Sequence, residues 1–137
     1  MNWKRLRNPL TYEEVKAIIN SIHVNLPEDY CKLIGPINGG ALVDTVCNVP
    51  GVGAVPYGSN ISLCTTARTN ALVLYEQFKE KALFPFGNVG NGDYFCFDLI
   101  ENIIVLYQHE TDKTFPVCKT YKEFLCQLKV LNSKNNE

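Results

Sequence analysis

The richest polar cluster in the chain is His109-Glu110, with Asp112 two residues on. A histidine beside carboxylates is the raw material of a general base or of a metal site. The pattern stops short of both. Only two histidines are present, His23 and His109, and no His-Glu-x-x-His spacing occurs. A second histidine ligand would have to come from the far end of the first helix. The cluster therefore reads as the polar end of a surface hairpin. Six cysteines (Cys31, Cys47, Cys64, Cys96, Cys118 and Cys126) are the other reactive groups. None stands beside a histidine, and apolar neighbours raise a thiol pKa rather than lower it. No Cys-x-x-Cys pair occurs, which argues against a zinc ribbon or a thioredoxin-type site. Cys96 and Cys126 read as core packing.

Gly87-Asn88-Val89-Gly90-Asn91-Gly92 invites a phosphate-binding reading. Phosphate loops lead from a strand into a helix, whose free N–H groups meet the anion. This loop leads into Asp93, which would repel an anion, and then into Tyr94-Phe95-Cys96-Phe97. It reads as a tight connection into a central strand, apolar on both faces. Asp93 and Asp98 bracket that strand, and acids at strand ends commonly satisfy loop amides. Arg68-Thr69-Asn70 reads as the solvated first turn of a helix or as a polar contact for a partner.

The elements that position these groups follow from local signals. The chain has 137 residues, 46% of them hydrophobic, which suits one domain with a real core. Thr11 and Glu14 form a capping box for a first helix, with Val15, Ile18, Ile19 and Ile22 as its apolar stripe. Leu26-Pro27-Glu28-Asp29-Tyr30 starts a second helix that buries Tyr30, Leu33 and Ile34 and ends at Asn38-Gly39-Gly40. Residues 41–49 read as a strand, and residues 50–64 as a long loop with room for one short strand. Thr65 or Thr66 caps a third helix running to about Lys81. Glu101-Asn102 is a tight turn between two strands, residues 111–113 are another turn, and residues 115–118 are a last strand. Thr120 and Glu123 form a second capping box, and Tyr121, Phe124, Leu125, Leu128 and Leu131 give the last helix its stripe. Helices come first, then strands that pair with their neighbours. The expected class is α+β, a central, mostly antiparallel sheet with helices packed on it, in a single domain over residues 1–132 with a polar tail at 133–137.

The totals exclude several functions. Thirteen basic and fourteen acidic residues give a net charge of −1. A protein that grips nucleic acid through phosphates shows a basic excess, so no nucleic-acid partner is expected. No run approaches the roughly 18 to 20 apolar residues of a membrane helix, so no membrane partner is expected. The N-terminus has no apolar stretch of a secretory signal, and the cysteines sit in apolar patterns. The expected setting is reduced and cytoplasmic.

Seven motifs then follow in one order: Trp3, Leu26-Pro27-Glu28-Asp29-Tyr30, Asn38-Gly39-Gly40, Phe84-Pro85-Phe86-Gly87, the run from Gly92 to Leu99, Val105 to Glu110, and Tyr121 to Leu125. This series resembles the SUKH superfamily, the Smi/Knr cell-wall-regulator-like domains, over nearly the whole chain. Two positions depart from the family pattern. Ile19 and Asn20 stand where a glutamate is usual, and Gln108 where an aspartate is usual. The resemblance implies an α+β domain that binds protein and is not an enzyme, with no cofactor and no metal. It implies an immunity protein that binds and neutralises a cognate toxin, often a nuclease. The alternative is a regulatory scaffold of the kind linked to wall-glucan synthesis. The residues expected to touch the partner are the polar and aromatic ones outside the apolar stripes: Tyr57, Arg68, Tyr107, His109 and Glu110.

Overall fold

A computed structural model describes residues 1–6 and 8–131. The expected tail at 133–137 lies outside them. Two helices open the chain, α1 (Tyr12–Ser21) and α2 (Glu28–Leu33), followed by a 3-10 turn at Gly35–Ile37. Three short strands come next, β1 (Thr45–Val49), β2 (Gly53–Pro56) and β3 (Ser59–Asn60), then α3 (Ala71–Phe78). Four longer strands form the centre: β4 (Leu83–Asn88), β5 (Tyr94–Asp98), β6 (Ile103–Gln108) and β7 (Lys113–Cys118). The described chain closes with α4 (Tyr121–Gln127) and β8 (Lys129–Val130). The class is α+β, as expected, with every strand pairing antiparallel.

The strands make two sheets rather than one. Five run in the order β3-β4-β5-β6-β7, and three in the order β2-β1-β8. The chain steps between them at Tyr57-Gly58. The Tyr57 amide donates to the Thr45 carbonyl in one sheet (2.9 Å), and the Gly58 amide to the Asn88 carbonyl in the other (2.8 Å).

β5 lies in the middle of the larger sheet, and both of its faces are covered. On one face Phe95 and Phe97 join Phe86, Tyr30, Tyr121 and Phe124 in an aromatic core. Phe86 and Phe97 stack at 4.5 Å, and Tyr30 meets Phe97 edge-on at 4.9 Å. Each such pair adds about 0.5–1.5 kcal/mol to what burial alone supplies. On the other face Cys96 packs with Leu83, Val105 and Phe78 of α3. β4 shifts register between Pro85 and Gly87. A bulge is where a strand tolerates proline, which has no N–H for the ladder. Gly87 has a separate reason: a Cβ there would collide with the Tyr57 ring.

The caps explain where helices begin. The Thr11 hydroxyl accepts from the Glu14 amide (3.1 Å), and the Thr11 amide donates to the Glu14 carboxylate (2.9 Å), so the first box is complete. Thr120 likewise accepts from the Glu123 amide (3.1 Å).

Six expectations are corrected. The third helix is capped by Asn70, whose side-chain oxygen takes the amides of Leu72 (3.1 Å) and Val73 (3.0 Å), and not by Thr65 or Thr66. Its α-helical part ends at Phe78, and a 3-10 turn carries the chain to Lys81. Within residues 50–64 lie a hairpin partner for β1 and the short β3. On α2, Cys31 is buried and Leu33 is exposed, because six residues make too few turns to bury both flanks. The last helix stops at Gln127, where Leu128 turns extended to feed β8, which leaves Leu131 exposed. Cys126 is also exposed, while Cys31, Cys47 and Cys96 are buried.

Candidate partner-binding face

The five residues expected to contact a partner separate into three places. Tyr57 belongs to the core. It is 1% exposed, its ring meets Phe124 at 5.3 Å and Phe95 at 5.7 Å, and its hydroxyl donates to Asn60 Oδ1 at 2.5 Å. Its expected place on the surface is therefore corrected. The missing side chain of Gly87 makes the space it fills, and that contact spans thirty residues of sequence. Arg68 is exposed on the loop before α3. His109 and Glu110 are exposed at the β6–β7 turn, whereas Tyr107 is buried at 8% exposure against Phe78, so its expected place on the surface is corrected too.

That turn is tied to the β4–β5 loop. Asp93 Oδ1 accepts from the His109 amide (3.0 Å) and lies 2.7 Å from the His109 ring Nδ1. The backbone of Gly92 passes close beneath the same ring. Its φ is +91°, and a Cβ there would sit 3.1 Å from Nδ1. Asp112 Oδ1 accepts from the Tyr107 hydroxyl and from Lys81 Nζ, each at 2.7 Å. The bond to Asp112 pushes the Tyr107 phenol up to about 12, and burial adds to it. Lys81, then Tyr107, hold the Asp112 carboxyl below its ordinary value. Asp98 fills the expected role at the other end of β5, accepting from the amides of Ile100 (2.9 Å) and Glu101 (3.0 Å).

A groove runs beside this turn, and the sequence reading did not find it. Arg5, Asn8, Asn38 and Ala67 line one lobe of about 300 Å³. Ser59, Asn60, Thr69, Leu74, Asn88 and Tyr94 line a second lobe of about 240 Å³. The lobes meet at Gly39 and Ser62. Tyr94 lines the groove and packs inward on the buried Phe78 at 5.8 Å, which meets the buried Tyr107 at 5.1 Å. Arg68 stands between Ala67 and Thr69, both of which line the groove.

Two buried asparagines fix the groove floor. Asn38, 1% exposed, donates to the Asn8 carbonyl (3.0 Å) and the Ser62 hydroxyl (3.3 Å), and it accepts from the Leu63 amide (2.8 Å). Asn60, 2% exposed, donates to the Ile37 carbonyl (2.9 Å) while accepting from Tyr57. A floor whose buried groups are already satisfied does not reorganise when something lands on it. The signal in sequence was the alternation of polar Asn60 and Ser62 with apolar Ile61 and Leu63, within a stretch broken by glycine and proline.

The buried Cys47 and the half-buried Cys118 are poor nucleophiles. Burial pushes Cys47 up to about 11 and Cys118 to about 12. Among the described residues no group of three or more His, Cys, Asp or Glu side chains is placed to hold a metal ion. None of their helices is long and apolar enough to cross a membrane.

Matched against protein families, residues 9–127 fit the SMI1 / KNR4 family (SUKH-1). The chain belongs to that family. No curated protein and no solved structure matches it. The SUKH-1 match runs from just before the α1 cap to the last residue of α4. It covers the hairpin end and most of the groove. Arg5 and Asn8, which close one end of the groove, lie before it.

Proposed function

We propose that this SUKH-1 domain is a non-catalytic protein-binding module that neutralises a cognate toxin, of nuclease type, in the cytoplasm by occluding it. The observation that carries the reading is the groove, with Tyr94 in its lining, together with the exposed His109–Glu110 turn tied to Asp93 beside Tyr94. The groove is concave, its floor is pre-organised, and its rim carries the arginine and aromatic side chains that dominate protein interfaces. The groove alone is too small for a tight complex, which needs about 800 Å² from each partner. The groove and hairpin end together supply a patch of the right kind. An immunity protein must bind at about nanomolar Kd or tighter, whereas a scaffold works at micromolar.

The test is capture of partners by the tagged full chain from its native cells, followed by co-expression with whatever is retained. One stoichiometric protein whose toxicity is relieved by this chain is the expected result. Several wall-synthesis proteins at low stoichiometry would overturn it in favour of the regulatory scaffold.

A further inference from the structure

We propose that the groove receives an extended, acidic segment of the partner protein, with the partner's carboxylates at the Arg5 end. This deepens the toxin-binding reading and rests on it.

The shape comes first. Two lobes of about 300 and 240 Å³ joined end to end make a trough rather than a pit. A trough suits an extended chain, which advances about 3.3 Å per residue.

The chemistry of the walls comes next. Among the described residues that line the groove, Arg5 is the one that carries a charge, and none is a carboxylate. The side chains of Asn8, Ser59, Thr69 and Asn88 make no hydrogen bond among the described residues, so they face the groove with donors and acceptors unspent. A peptide backbone offers one donor and one acceptor at nearly every residue, and amides and hydroxyls supply both complements. A guanidinium takes a carboxylate through two parallel N–H bonds.

Charge then sets direction. Arg5 lines the first lobe alone, and the second lobe has no charged lining residue among those described. A carboxylate therefore finds its cation only at the first lobe, while the second offers amides and hydroxyls. Nucleic acid would need cations spaced along the whole trough, and among the described lining residues Arg5 alone is one.

Arg5 is also held in place. Its φ is +59°, a left-handed conformation that side-chain-bearing residues rarely adopt. The paired bonds between Lys4 and Ala41, each 2.8 Å, anchor the residue before it. Such a backbone persists where surrounding structure imposes it.

The experiment is an amide-resolved NMR titration of the full chain. The probes are an end-blocked hexapeptide alternating Glu and Ser, its Gln counterpart, a short oligo-dT and a glucan hexasaccharide. The Glu peptide should shift the amides of Arg5, Ser62, Thr69 and Asn88. The Gln peptide should bind about tenfold more weakly, the scale of one charge-assisted bond. Arg5→Glu should abolish the shifts with the remaining spectrum unchanged, and Asn88→Ala should weaken them. Equal response to both peptides, shifts mapping elsewhere, or no shift with either peptide would overturn the proposal. So would preferential response of the groove to oligo-dT or to the glucan. Toxin rescue with Arg5→Glu separates the two readings. If wild type and Arg5→Glu rescue equally, the groove proposal falls and neutralisation stands. If the Glu peptide binds the groove but wild type rescues nothing, neutralisation falls and the groove stands.

Discussion

Phe97 and Asn38 are buried equally well, at 2% and 1% exposure, yet they are held by opposite means. Phe97 is fixed by shape. It stacks on Phe86 and meets Tyr30 edge-on, and its neighbours are rings that fit without direction. Asn38 is fixed by valence. Each polar group of its amide reaches a named partner on the N-terminal segment or the loop after β3. Shape-fixed regions spread a defect over many contacts. Valence-fixed regions concentrate it, because one missing partner strands another buried group. The first kind stabilises the domain. The second holds a surface in one conformation with polar atoms left over for a ligand.

The largest effect should come from breaking the first kind. Phe97→Ala should cost about 3–5 kcal/mol, since the ring is buried and β5 is covered on both faces. Urea melts would show it as a fall in midpoint at constant slope. A cost under about 1 kcal/mol would mean that the aromatic cluster collapses around the hole, and the contrast with the groove would fail.

Asn38→Ala should come next, at about 1–3 kcal/mol, because it leaves the Leu63 amide buried without an acceptor. Its second signature sharpens the comparison. Amides around Ser62 and Ala67 should move in the NMR spectrum while those of β5 stay put. If β5 moves as much, the groove floor is part of the core and not a separate frame.

Asn70→Ala should cost about 1 kcal/mol, the usual value of an N-cap, read in the same melts. The matching change at Thr65, at the position expected from sequence to cap α3, should cost almost nothing. An equal loss at both sites would return the cap to the earlier position.

That misplacement shows what was legible. Signals carried within four residues were read correctly: the Thr11–Glu14 box, the start of α4 at Thr120, the stripe of α1, and the all-apolar β5. The SUKH resemblance rested on such local motifs, and the family match bears it out. The α3 cap is a local exception, since Asn70 accepts from amides two and three residues on, but the errors at Tyr57 and at the end of α4 come from a partner far away in sequence. Nothing near Tyr57 says that Gly87 opens a space for its ring. Nothing near Lys129 says that β1 will pair with it and end the last helix early. The candidate site divides the same way. His109 and Glu110 were found because a turn is local. The groove was not, since it joins residues 5, 38, 62 and 88 from four separate segments.

The smallest effect concerns the hairpin end. Asp112 has a depressed pKa, so its contribution to stability is present above the ordinary carboxylate range and is lost as pH falls below about 4. Tyr107 has a raised one, so its contribution is present below pH 10 and is lost as pH climbs toward about 12. Both directions come partly from one bond, and Asp112→Asn removes its charge. The phenol of Tyr107 should then ionise nearer to 10. Absorbance of tyrosinate should show one additional tyrosine titrating between pH 10 and 12 in Asp112→Asn relative to wild type. Tyr30, Tyr57 and Tyr121 should stay silent in both, because burial holds them higher still. Tyr107→Phe in the same background should erase the extra ionisation. Superimposable curves for wild type and Asp112→Asn would mean that the 2.7 Å bond does not persist in solution. The hairpin end would then be a mobile rim, leaving the groove as the only fixed part of the face.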